Sequence, residues 1–256
     1  MKSFKMKALA LATLGLGGLV MAGSAFAACP AGASTANGGA WTSQVTLGGT
    51  ITISSPGYGA TATNCKMDTQ YTSNGSFNQV TAVDGSPNNE TAYRARFYFS
   101  ADAVTSLGAF DAVQIFTANS SAPYPSSNPT LQILRLTLQG GGATGHNVGI
   151  IAACDNGGGN TCVATASIPA TGVSVVEIQV LTGASGVGVV NYWVNNNNSG
   201  TPTGSVTITG GNAGWVGVKE ARLGLATSTS GFRANHLNQI LSFDEFDSRR
   251  QTFIGF

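Results

Sequence analysis

The segment Thr91–Ser100, TAYRARFYFS, sets Tyr93, Ala95, Phe97 and Phe99 on one side of an extended chain and Arg94, Arg96 and Tyr98 on the other. A period of two is the mark of a strand with one side turned to a core. The same reading predicts strands over Val45–Ile53, Ala112–Thr117, Leu131–Leu138, Val148–Ala153, Val173–Leu181, Val187–Val194, Ser205–Thr209, Arg222–Ala226 and Gln239–Phe246. Between them stand turn-forming clusters such as SSPGYG, DGSPNN, ANSSAPYPSSNP, QGGGATG and NNNNSGTPTG. Many short strands punctuated by Gly, Asn and Pro predict an antiparallel two-sheet β-sandwich or a barrel. A membrane barrel fits less well, because the turns do not cut the chain into even segments of about ten residues with aromatic girdles.

Lys2, Lys5 and Lys7 precede an apolar run that ends in Ala25-Phe26-Ala27. This predicts a secretory signal peptide over residues 1–27. Its apolar run is shorter than the roughly twenty residues of a spanning helix, so no transmembrane segment is expected after cleavage. The product is expected to be exported: extracellular, at the cell surface or periplasmic. Residues 28–60, rich in Gly, Ser and Thr, are expected to add an edge to a sandwich formed by 61–256. Without the leader the basic count falls from 12 to 9 against 11 acids, a net charge of 9 − 11 = −2. The remaining Lys and Arg are scattered along the chain, which excludes the clustered charge a nucleic-acid binder uses on phosphates.

Cys29, Cys65, Cys154 and Cys162 all follow the leader. An even count in an oxidising compartment predicts two disulfides. The pairing 29–65 with 154–162 is favoured, because Cys154 and Cys162 flank the turn-rich DNGGGNT. By the loop-entropy model the short loop contributes about 2.6 kcal/mol and the long one about 3.8 kcal/mol. In a competing reading, Phe26-Ala27-Ala28-Cys29 resembles a lipoprotein signal, with Cys29 lipidated and Cys65 without its partner.

Two longer motifs carry a family resemblance. Asp84-Gly85-Ser86-Pro87-Asn88-Asn89-Glu90 runs into Tyr93-Arg94-Ala95-Arg96-Phe97-Tyr98-Phe99, and Phe243-Asp244-Glu245-Phe246-Asp247-Ser248-Arg249-Arg250-Gln251-Thr252-Phe253-Ile254-Gly255 closes the chain. Shorter echoes lie at Val176-Glu177-Ile178, Tyr192-Trp193-Val194-Asn195 and Arg222-Leu223-Gly224. Together they resemble bacterial exported concanavalin A-like (laminin G-like) lectin and glucanase domains over Asn64 to Gly255. The resemblance implies an all-β, concanavalin A-like jelly roll of two packed antiparallel sheets. It implies no single activity, since that fold carries lectins, adhesion modules, structural domains and glycoside hydrolases.

A retaining glycosidase needs two carboxylates about 5 to 5.5 Å apart, and Glu245 with Asp247 is the pair that same-face spacing offers. Phe243 and Phe246 differ in parity, which predicts a bend or bulge and favours salt bridges there over catalysis. His146 and His236 lie in loop-like contexts without a nucleophile-elbow motif, so surface imidazoles are expected. No metal site is predicted. Calcium is the one cofactor the resemblance brings into view, although Asp84-Gly85 and Asp155-Asn156 read as ordinary turns. Sugar binding would use an aromatic platform beside amides, for which Tyr124, Trp193 and Asn195 are the candidates. The functional expectation is a non-catalytic exported module for surface binding, adhesion or matrix structure, with a polysaccharide or surface glycan as partner. A glycoside hydrolase or lyase is the alternative from another class. A self-associating structural subunit, joined through sheet edges, is the third.

Overall fold

The computed structural model describes residues 41–58, 65–85, 87–104, 106–121, 132–141, 145–153, 161–182, 188–208, 217–249 and 252–255. In it the alternating segment becomes β5 (Ala92–Ser100), whose inward residues Tyr93, Ala95, Phe97 and Phe99 are buried. Two seven-stranded sheets are stacked, and every pairing between neighbouring strands is antiparallel. The front sheet runs, in spatial order, β1 (Ser43–Leu47), β4 (Gln79–Asp84), β13 (Glu220–Leu225), β6 (Ala112–Asn119), β7 (Gln132–Gly140), β8 (Gly145–Ala153) and β9 (Thr161–Pro169). The back sheet runs β12 (Gly204–Ile208), β11 (Gly188–Val194), β10 (Val173–Leu181), β5, β14 (Leu241–Arg249), β3 (Lys66–Tyr71) and β2 (Gly49–Ser54). This is the jelly-roll β-sandwich that the alternation and the resemblance implied.

Aromatic rings join the layers. Phe97 of the back sheet stacks on Phe116 of the front sheet at 5.7 Å, and Phe99 stacks on Phe243 at 6.4 Å. Around them Ile115, Ile133, Leu134, Leu136, Val148 and Ile150 are fully buried. Each such side chain contributes about 1.5–3 kcal/mol through burial.

The structure departs from the sequence reading in several places. Val45–Ile53 is two strands, because the chain crosses from front to back sheet at Gly48, whose φ of 72° is the left-handed region that glycine enters freely. Asn78 occupies the space a side chain at position 48 would need. Strands β3, β4 and β9 have no counterpart in that reading. The β3 sequence KMDTQY buries Asp68 and Thr69, and β9 alternates Thr, Ala and Ser, so neither shows a strong contrast of polarity. A helix of one and a half turns, α1 (Ser230–Asn235), is capped by Thr229, whose Oγ1 accepts from the Phe232 backbone N–H at 3.2 Å.

In β14 the register to β5 shifts by one residue between Asp244 and Asp247, with Glu245 at φ 49°. The extra residue lets both Phe243 and Phe246 face the core, where Phe246 meets Trp41 at 4.2 Å.

The outer side of β5 is buried as well. Arg94 Nη1 donates to Glu177 Oε1 of β10 at 2.7 Å, and both side chains are under 10% exposed. The C-terminal segment covers them: the N–H groups of Ile254 and Gly255 donate to the Glu177 carboxylate at 3.1 and 2.9 Å, and Arg96 donates to the Gly255 carbonyl at 2.7 Å.

His146 and His236 are both buried, contrary to the surface position expected for them. His146 lies on β8 with the same inward parity as Val148 and Ile150, and neither ring nitrogen makes a well-formed hydrogen bond. Burial lowers its affinity for a proton below the ordinary value of 6.5; the backbone at Val104 and Gly145 opposes this weakly, and the His236 ring adds to it.

Two predictions follow from these buried groups. Glu177→Ala leaves Arg94 buried without its counter-charge, an expected loss of about 3–5 kcal/mol, and releases the Ile254 and Gly255 amides to rapid hydrogen exchange; an unchanged melting temperature would contradict it. Because the folded state holds His146 neutral while the unfolded chain takes up a proton near 6.5, stability is retained above that pH and lost as the pH falls below it. The slope of melting temperature against pH below about 6.5 should flatten in His146→Phe.

Candidate functional site

Alternation on the front sheet decides which side chains face away from the core. On β6, Val113, Ile115 and Ala118 point inward while Gln114, Thr117 and Asn119 line the outer side. On β13, Ala221 and Leu223 are buried while Glu220 and Arg222 line it. Gln79 of β4 and Gln132 of β7 join them, with Lys219 just before β13. These residues, with Ser120, Ala226 and Thr227, line an open cavity of about 560 Å³. A second cavity of about 280 Å³ shares Gln114 and Thr227 with it and continues past Arg135, Thr137 and Ile151 to Ser228 and Thr229.

The face is ordered by its own hydrogen bonds. Arg222 Nε donates to Glu220 Oε1 at 2.5 Å, and Asn119 Nδ2 donates to the same oxygen at 3.4 Å. Gln132 Nε2 donates to Gln114 Oε1 at 3.2 Å, and Arg135 Nη1 donates to Gln132 Oε1 at 3.3 Å. Two cations, Lys219 and Arg222, thus line the larger cavity, while Glu220 is the one carboxylate among its described lining residues. Burial lowers the proton affinity of the Arg135 guanidinium. Such a face offers fixed donors and positive charge to a hydroxylated, acidic ligand.

Sequence reasoning did not single out this face. Lys219, Arg222 and Arg135 read as scattered charges, and only strand register gathers them: Thr117 of β6 is paired with Arg222 on one side and Arg135 on the other. The available signal was the polar residues Glu220 and Arg222 of β13 and Gln114, Thr117 and Asn119 of β6, where a register shift between Gln114 and Phe116 breaks the strict alternation.

The residues singled out from sequence lie elsewhere. Glu245 and Asp247 belong to the back sheet, where Glu245 lies 3.7 Å from Arg96 Nη2 and Asp247 is paired with Arg96 across the strands. Trp193 is 3% exposed, with Phe253 at 5.5 Å and the Arg94 guanidinium at 4.7 Å from its ring, and its Nε1 donates to the Asn198 carbonyl. The C-terminal segment has thus taken the place a sugar ring would need. Tyr192, on the opposite face of β11, is buried too. Asn195, at φ 50°, uses its Oδ1 to accept from the Val175 N–H at 2.8 Å and so serves the turn after β11. Tyr124 lies outside the described residues, as do Cys29 and Cys154. Neither Cys65 nor Cys162 is a free thiol.

Both rings of the histidine pair are removed from solvent. His236 Nε2 lies 3.1 Å from Asp111 Oδ2 and Nδ1 lies 2.8 Å from Gln239 Oε1, so its two nitrogens serve a buried network. Asp84 is buried and accepts from Ser248 at 3.2 Å. Among the described residues no group of three His, Cys, Asp or Glu side chains could hold a metal ion, and no helix is long and apolar enough to cross a membrane.

No protein-family model and no curated protein matches this sequence. Solved structures do resemble its fold. An endo-β-1,4-glucuronan lyase from the fungus Trichoderma reesei aligns over 83% of this chain and 92% of its own, with a TM-score of 0.55 and 11% identity. A carbohydrate esterase from the Shiga toxin-encoding bacteriophage phi24B aligns over 82% and 90%, with a TM-score of 0.53 and 12% identity. An alginate lyase from Pseudomonas aeruginosa aligns over 73% and 83%, with a TM-score of 0.50 and 16% identity. At such identities the likeness is one of architecture: this chain shares the jelly-roll β-sandwich of these carbohydrate-active proteins.

Proposed function

We propose that this chain is a carbohydrate-active protein that takes a uronate-type polysaccharide across the outer face of its front sheet and cleaves it by elimination. The observation that carries this reading is the composition of the larger cavity: Lys219, Arg222 and a set of amides around a single carboxylate already bound to Arg222. A retaining hydrolase needs two carboxylates flanking the bond. Elimination instead needs positive or hydrogen-bonding groups on the uronate carboxylate, a base for the proton beside it, and an acid for the leaving oxygen.

Arg222 with Asn119 or Gln132 is suited to neutralise the carboxylate, which acidifies the neighbouring C5–H. Lys219 is the basic side chain of the lining placed to take that proton. The C–H electron pair becomes the C4–C5 double bond as the C4–O bond breaks, and the departing oxygen takes up a proton from the ammonium or from water. The fold shared with glucuronan and alginate lyases supports the substrate class.

A binding-only role is the second reading. It is favoured by the lining itself, since none of its described residues is a His or Tyr. Export, and a place at the surface or in a matrix, belong with either reading and rest on the leader-like N-terminus.

Incubation with glucuronan and alginate should generate the ultraviolet absorbance of unsaturated uronate ends. Lys219→Ala should reduce the rate by about 10²–10⁴-fold, the range for a general base, while retaining polymer binding. Arg222→Gln should weaken both. Binding without product in the wild type would select the second reading, and neither binding nor product on any acidic polysaccharide would overturn both.

A further inference from the structure

Arg135 has an unusual setting for a half-buried cation. Its described hydrogen-bond partner is the neutral Gln132 side chain at 3.3 Å, and among the described residues it forms no ion pair. By contrast Arg94, Arg96 and Arg222 each pair with a carboxylate. A guanidinium withdrawn from water without a counter-ion is costly unless something supplies the missing charge. Beside the apolar Ala112 and Ile151, the same 280 Å³ cavity is lined by hydroxyls and an amide, those of Thr137, Thr227, Ser228, Thr229 and Gln114. That set complements an acidic group on a polyhydroxylated ligand.

Register fixes where this position lies. Arg135 is opposite Thr117, and Thr117 is opposite Arg222, so the two arginines stand in one row across three adjacent strands. Two interstrand steps separate their backbones by about 9.5 Å, close to the length of a disaccharide unit. The cavities around them meet at Gln114 and Thr227, so a ligand can pass from one to the other without leaving the face.

We propose that Arg135 is a second anion-receiving position, two sugar units along from Arg222. The ligand is then a linear polyanion lying across the strands, with acidic groups recurring on one edge at disaccharide spacing. This rests on the polyuronate reading above and adds to it a preferred chain direction, a minimum length and a charge pattern.

The test uses the full chain carrying Lys219→Ala, so that ligand is not consumed, and calorimetric binding of glucuronate or mannuronate dimers and tetramers. Tetramers should bind about tenfold tighter than dimers. Arg135→Gln should abolish that gain while leaving dimer affinity unchanged, and Arg135→Lys, which keeps the charge, should retain part of it. Unaltered tetramer affinity in Arg135→Gln, an equal loss for dimer and tetramer, or equally tight binding of an uncharged cello-oligomer tetramer would overturn the proposal. If no acidic oligomer binds before Arg135 is altered, the polyuronate reading itself fails, and that outcome is distinct from a failure at Arg135.

Discussion

Strand β5 is buried on both faces, and much of the molecule is arranged around that fact. Its inner face gives Tyr93, Phe97 and Phe99 to the core, while its outer face carries Arg94 and Arg96, which cannot remain under cover unpaired. Glu177 supplies the counter-charge, and the backbone N–H groups at Ile254 and Gly255 occupy the rest of that carboxylate. The tail is therefore part of an electrostatic solution, and its Phe253 ring closes over Trp193 in the process. Around β5 the outer surface of the back sheet is thus covered by the protein's own chain.

The front sheet keeps the usual one-sided burial of an antiparallel sheet. Its core side is aliphatic apart from Phe116 and His146, and its other side holds Gln, Asn, Thr, Lys and Arg, tied into short hydrogen-bonded chains that leave the groups in defined positions. This division of labour explains why Trp193 became structural and why the amides and arginines of β6, β7 and β13 line the candidate site. A jelly roll can host many chemistries, so the fold alone does not select acidic polysaccharide; the charges and amides of this face favour it.

The alternation made β5, β6, β7, β8, β10 and β11 legible in the sequence, since each sets large apolar residues against polar ones. It failed where that contrast is weak: β9 alternates small residues, and β3 buries Asp68, held by hydrogen bonds from Ser242 and Ser54 and by Lys66. The bulge in β14 was readable because Phe243 and Phe246 could not otherwise share a face. The site was not readable, because Arg135 and Arg222 become neighbours only through the pairing of both their strands with β6, and register between distant strands leaves no trace in local spacing. His146 misled for a related reason. Its Gly-rich surroundings suggested a loop, but it continues the inward row of β8.

The chain of side-chain amides from Gln114 through Gln132 to Arg135 carries a consequence for selectivity. A carboxamide presents a donor and an acceptor on one rotatable plane, so a half-turn exchanges them without moving the backbone. A surface lined this way can satisfy an axial or an equatorial hydroxyl about equally well, whereas the guanidinium groups are donors only and bind a carboxylate more strongly than a neutral oxygen. On the proposed function, such a surface would be strict about where a polymer is charged and lenient about which epimer carries the charge.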